Sequence, residues 1–206
     1  FLQGYVTAQD RMWQMDGVRR LASGELSEVI GKDSLETDRQ ARRLRLNRIA
    51  EAQEKSLSPA SREILAAYAR GVNYYLETHR DRLPPEFAIL GYSPRPWRVR
   101  DSLLALLEMQ RELTNSWRDE LSKWHMLSVG KREKLDLLYP PKATVPLTPG
   151  SNAWVISGAH TASGKPLLSN DPHLQWNLPS TWYMIHLQAA NLDVSGFALP
   201  GIPAVL

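Results

Sequence analysis

At 206 residues the chain is long enough to bury a real core, as one large domain or two small ones. Its 43% hydrophobic and 23% charged residues exclude a disordered chain, and no apolar run approaches the roughly 20 residues that cross a bilayer. A net charge of +3 interleaved with Asp and Glu describes a solvated surface, and the lack of cysteine excludes disulfides, thiolate metal sites and cysteine nucleophiles.

In chain order, Phe1 to Ala22 reads as a helix with Leu2, Tyr5, Val6, Trp13, Val18 and Leu21 on its apolar face. Gly24 and Gly31 then punctuate the pattern. Arg39, Arg42, Arg43, Arg45 and Arg48 form the one concentrated run of positive charge. Such a run is either a nucleic-acid or acidic-ligand patch or a solvated helix face, and the ordinary net charge favours the solvated face. Ser58-Pro59 is a helix start, with Ser as cap and Pro at the first helical position. Ile64, Leu65, Tyr68, Val72, Tyr75 and Leu76 continue it at helical spacing. The prolines between Leu83 and Trp97 forbid a continuous helix there. Asp101 then caps Leu103 to Leu107, and this segment continues, with a break near Thr114-Asn115, into Trp117 to Val129.

Composition changes between Tyr139 and Gly150, where four prolines in twelve residues make an extended connector. Beyond it the period shortens to that of strands: Ala153 to Ile156, a turn at Thr161 to Lys165, a return strand over Pro166 to Ser169, then Trp182 to Gln188 and Asp193 to Phe197. These patterns divide the chain into a helical region over 1–138, a connector over 139–150 and a strand-rich region over 151–206. The fold class is α+β. His79, His125, His160 and His186 show no metal-ligand spacing, and the tryptophans read as packing residues.

The connector ends in Pro149-Gly150-Ser151-Asn152-Ala153-Trp154-Val155, and Asn170-Asp171-Pro172-His173-Leu174 follows about twenty residues later. Taken alone, Ser151 reads as a turn residue opening a strand. With these two blocks stand Gln3-Gly4-Tyr5-Val6-Thr7-Ala8-Gln9-Asp10-Arg11-Met12-Trp13-Gln14-Met15 and Leu90-Gly91-Tyr92-Ser93-Pro94-Arg95-Pro96-Trp97. In this order, the four blocks resemble the penicillin acylase (penicillin amidase) family of N-terminal-nucleophile hydrolases.

The resemblance implies a precursor cut between Gly150 and Ser151, which makes Ser151 a new amino terminus and the nucleophile. The chemistry is coherent. A Ser hydroxyl is a weak nucleophile until a base takes its proton. An α-amine with a pKa of roughly 7.7–8.0 supplies that base close to working pH, best through a bridging water because the direct contact within one residue is badly bent. Before cleavage the Ser151 hydroxyl attacks the Gly150 carbonyl, forming an ester that water opens; Gly150, with no side chain, suits a strained junction. Continuous through Gly150, the sequence reads as a precursor or an incompletely processed form.

The resemblance also implies that His173 lies beside the nucleophile and holds its amine or relay water; otherwise it is a packed loop histidine. Some family members carry Gln there, so the imidazole is no obligatory base. Leu174 faces the acyl pocket or packs in the core. Glu120, in the last helix before the connector, is the ligand type for a structural calcium or is a solvated carboxylate. No cofactor is implied for catalysis.

The implied fold is the start of a four-layer αββα core, and the implied assembly an α/β heterodimer cut from one precursor. The implied substrates are N-acyl amides such as penicillin or cephalosporin side chains or acyl-homoserine lactones. Exported relatives suggest a periplasmic or secreted protein. The oxyanion donors, the remaining calcium ligands and any signal region are expected outside Phe1 to Leu206. The competing readings are a non-catalytic helical scaffold relative and nucleic-acid binding through the Arg39–Arg48 face.

Overall fold

A computed structural model of the chain describes residues 1–114, 117–130, 132–139, 150–174 and 176–206. Among these residues the fold is α+β: helices run to Leu138, and two separate two-stranded antiparallel sheets follow. Compactness divides it into one unit of Phe1–Gln110 with Asn177–Leu206 and a second of Arg111–Trp176. These units cut across the three sequence regions, because the last thirty residues pack on the first helices. The connector Pro140 to Pro149 lies outside the described residues.

Helix α1 spans Leu2–Ser23 and ends on Gly24, whose left-handed backbone (φ 68°) lets its N–H reach the carbonyls of Arg20 and Leu21. Its buried face is not the expected one. Gly4, Ala8, Met12, Met15, Arg19 and Ala22 are buried, whereas Leu2 is 72% exposed and Tyr5, Val6, Trp13, Val18 and Leu21 are half-buried. The opposing helix makes that choice. It is α5 (Pro59–Thr78), and it crosses α1 at glycines: a Cβ at Gly4 would lie 2.2 Å from the Tyr68 carbonyl oxygen, and one at Gly71 2.0 Å from that of Phe1. Only small residues admit so close an approach. Gly71→Ala should therefore destabilise the protein by about 1–3 kcal/mol through forced separation of the helices, read as a lower chemical-denaturation midpoint at constant slope.

Next come α2 (Ser27–Ile30), α3 (Leu35–Leu44) and α4 (Leu46–Ser56). The buried Asp38 carboxylate accepts the N–H groups of Leu26 and Ser27 at 2.9 and 2.8 Å, fastening the start of α2. Helices α3 and α4 are separated at Arg45, which adopts a left-handed conformation (φ 57°), so the arginine run is not one continuous helix face. Helix α5 (Pro59–Thr78) begins as expected: Ser58 accepts the Ser61 N–H at 3.1 Å and Pro59 takes the first helical position. A short α6 (Pro85–Ile89) fits between the prolines. In α7 (Val99–Leu113), Asp101 is the third residue rather than the cap, and its carboxylate reaches back to the Arg98 N–H at 2.8 Å. Tyr68, Val72, Tyr75, Phe87 and Trp97 close the main core against Ala8, Met12 and Met15; Ala22, Leu46, Ala50, Leu103, Leu104 and Leu107 form a second cluster.

Within the same unit, β3 (Tyr183–Ala189) and β4 (Leu192–Ala198) pair antiparallel, close to the expected bounds. The other unit holds α8 (Trp117–Val129), α9 (Arg132–Leu138) and the hairpin of β1 (Gly150–Ile156) with β2 (Leu167–His173). Both strands of this hairpin are longer than the apolar runs suggested. Polar Asn170 and Asp171 belong to β2 because a two-stranded ribbon leaves them in solvent.

Candidate active site

Ser151 is the second residue of β1 and is exposed. The register sets Gly150 across from His173, Ser151 across from Pro172 and Asn152 across from Asp171. The Gly150–Ser151 bond therefore runs alongside Pro172–His173, and the structure brings together the two sequence blocks that resemblance had paired. Pro172 carries no N–H, so it offers the ladder no donor opposite Ser151.

Alternation along the strands then separates the side chains. Directly opposed residues share a face, so His173, Asp171 and Asn152 lie on one side of the hairpin and Ser151 on the other. The imidazole is engaged by Asp171, with Nε2 2.7 Å from Oδ2, in an exposed pair. His173 is thus next to the Gly150–Ser151 bond through its backbone, while its ring is turned from the Ser151 hydroxyl toward Asp171. Sequence reasoning missed Asp171, although residues i and i+2 of a strand always share a face.

Leu174 follows β2 directly and is half-buried. Glu120 lies in the first turn of α8, well exposed, and its Oε1 is 3.5 Å from the Lys123 ammonium. Among the described residues no group of three or more His, Asp or Glu is arranged to hold a metal. Glu120 offers one of the six to eight oxygen ligands that calcium takes, with the Lys123 ammonium beside it.

The helical unit holds residues from both sides of the Gly150–Ser151 bond. Tyr68, 1% exposed, accepts the Gly201 N–H at 3.0 Å, and burial pushes its hydroxyl up to about 12. Gly201 has φ 100°, and a Cβ there would lie 3.1 Å from the Trp97 ring, so a side chain is disfavoured on both counts. Tyr183 donates to Asp10 at 2.6 Å; burial, then the Asp10 carboxylate, raises its hydroxyl to about 12. Arg11 and Gln14 both donate to the Ser180 carbonyl, at 3.2 and 3.0 Å.

Beneath them is a buried ionic cluster that sequence reading also missed. Asp16, Arg19 and Asp101 are wholly buried. Arg19 holds Asp16 at 2.5 Å and Asp101 at 3.4 Å, and it donates to the Arg95 carbonyl at 2.7 Å while its guanidinium covers Trp97. Arg20 and Tyr92 each donate to Asp16 at 2.8 Å. Burial alone would raise the Asp16 carboxyl, but Arg19, Arg20 and Tyr92 outweigh it and hold the group below its ordinary range. The motif around Tyr92 to Trp97 and the end of α1 are therefore one packed structure.

The penicillin amidase family matches residues 1–206. The chain is 31% identical to the acyl-homoserine lactone acylase QuiP of Pseudomonas aeruginosa, a match that takes in all of this chain and 29% of the relative. It is 29% identical to the penicillin acylase 2 proenzyme of Pseudomonas sp., covering 97% of this chain and 30% of that one. Among solved structures, a thermostable penicillin G acylase from Alcaligenes faecalis superposes with a TM-score of 0.54 at 30% identity, over 71% of this chain and 83% of that one. The chain spans about 30% of the length of the curated relatives it matches. On this evidence the chain belongs to the penicillin amidase family of amide hydrolases.

Proposed function

We propose that this chain is the segment of an N-acyl amide hydrolase that carries both its self-cleavage junction and its nucleophile, Ser151. The observation that carries the reading is the register: the Gly150–Ser151 bond lies at the start of an exposed strand, against Pro172–His173, in a chain of this family. The Ser151 hydroxyl adds to the Gly150 carbonyl, the C–N bond breaks as the Ser151 nitrogen takes a proton, and water opens the resulting ester. The freed α-amine then accepts the hydroxyl proton through a water as Ser151 attacks the substrate carbonyl. The amine of the substrate leaves, and a second water releases the acid from the acyl-enzyme.

The substrates proposed are those named by the relatives, acyl-homoserine lactones and penicillins, with Leu174 contacting the acyl group. Cleavage would yield two chains, and the Tyr68–Gly201 and Asp10–Tyr183 bonds favour their staying together as a heterodimer. No helix among the described residues is long and apolar enough to cross a membrane; a periplasmic or secreted location follows the family resemblance.

The test is release of free carboxylic acid and amine from an N-acyl-homoserine lactone, and from penicillin, by the full-length protein. Both substrates surviving intact after chain cleavage would refute the reading. The role of His173 has its own expectation. Because its ring pairs with Asp171, His173→Gln should keep chain cleavage within about tenfold of the parent rate on denaturing gels, whereas general acid–base catalysts contribute roughly 10²–10⁴-fold. A loss in that larger range would assign the imidazole to proton transfer.

A further inference from the structure

The arginine run divides in two in the folded chain. Arg39 and Arg43 share the exposed Glu36 carboxylate, at 3.6 and 3.7 Å. Arg42, Arg45 and Arg48 stand within ion-pair distance of no carboxylate among the described residues, and these three line one cleft of about 300 Å³. Arg42 uses its Nε on the Gly24 carbonyl, which fixes the guanidinium at the cleft wall. Beyond ion-pair distance, Glu51, held by Lys55 at 2.9 Å, also feels Arg48, and the buried Asp38 carboxylate feels Arg42. The cleft floor is apolar and buried, formed by Ala22, Ala41 and Leu46. Its neutral polar groups satisfy each other: Ser23 donates to Asn47, and Asn47 returns a bond to the Ser23 carbonyl.

The backbone is bent to make this arrangement. Arg45 is the one described non-glycine residue with positive φ, and its left-handed conformation separates α3 from α4 so that residues from both helices reach one cleft. Holding a long cationic side chain at such a position opposes local preference. A glycine would adopt that backbone freely; the arginine contributes a third guanidinium.

We propose that this cleft binds a small oxyanion, a carboxylate or phosphate group, through Arg42, Arg45 and Arg48. Guanidinium forks match the planar or tetrahedral oxygens of such groups and bond them with charge assistance. The apolar floor admits a short hydrocarbon portion behind the anionic head. A nucleic-acid strand is the less suitable occupant, because the arginines that would extend the site along a backbone, Arg39 and Arg43, are already paired with Glu36.

The experiment is calorimetric titration of the full-length protein with inorganic phosphate and, separately, with acetate, at low ionic strength to limit screening. Saturable binding of one anion per chain is expected. Phosphate alone would identify a phosphate-bearing ligand; binding of acetate as well would identify a carboxylate. Arg45→Gly, which keeps the left-handed backbone unstrained, and Arg48→Gln should each weaken binding about tenfold or more. Arg39→Gln should leave it unchanged. Absence of saturation by either anion, equal affinity in the Arg45 and Arg48 variants, or an equal loss in Arg39→Gln would overturn the proposal, the last by showing diffuse attraction. Tighter binding of duplex DNA with a steep salt dependence would overturn it in favour of a polyanion surface.

Discussion

Ser151→Ala in the full-length protein should leave a single uncut chain where the parent yields two, read by intact mass. Removal of the hydroxyl takes away the atom that adds to the Gly150 carbonyl, and no neighbour replaces it: Pro172 opposite has no reactive group, and His173 is turned to the other face. Loss of the nucleophile from a comparable serine site costs on the order of 10⁶ in rate, so cleavage over days should fall below detection. Alanine is tolerated in an exposed strand position, so the hairpin should persist and the far-ultraviolet circular dichroism should match the parent. Cleavage of the variant at the same bond would end the assignment of Ser151, whatever the substrate assays gave.

The second large effect concerns stability. Asp101→Ala should destabilise the protein by about 3–5 kcal/mol in chemical denaturation, because it strips one of two carboxylates from a wholly buried arginine and leaves that charge partly uncompensated. The same cluster gives an acid dependence. Asp16 is held below its ordinary value of 3.8 in the folded protein, so the folded state binds fewer protons there than the unfolded one. Its contribution is fully present above that ordinary range and is lost as pH falls below 3.8 through the lower folded value. Tyr92→Phe, which removes one donor to Asp16, should lower stability by about 1–3 kcal/mol and start acid unfolding at a higher pH. Parent and variant acid curves that superpose would show that the cluster does not govern acid unfolding.

The sequence determined more about chemistry than about packing. The hairpin after Gly150 was legible from its two apolar runs and the turn between them, although those runs stopped at Ser169, short of His173. The start of α5 was equally legible, because Ser58 and Pro59 act through bonds to their own backbone neighbours. Local rules read local causes.

What the sequence could not decide was which face of α1 would be buried, that Asp101 would sit inside its helix, or that Arg19 would hold two carboxylates from segments about eighty residues apart. Periodicity favoured Leu2, Val6 and Val18. The fold buried Gly4, Ala8 and Asp16 instead, because α5 approaches closely enough to exclude large side chains, and because a charge can be buried when its partners arrive with it. The division of the arginine run belongs to the same class: Glu36 pairs with two members, and the turn at Arg45 gathers three others around one cleft. Sequence spacing carries helix and strand periods, but burial and pairing depend on what the rest of the chain brings into contact, and only the tertiary structure decides that.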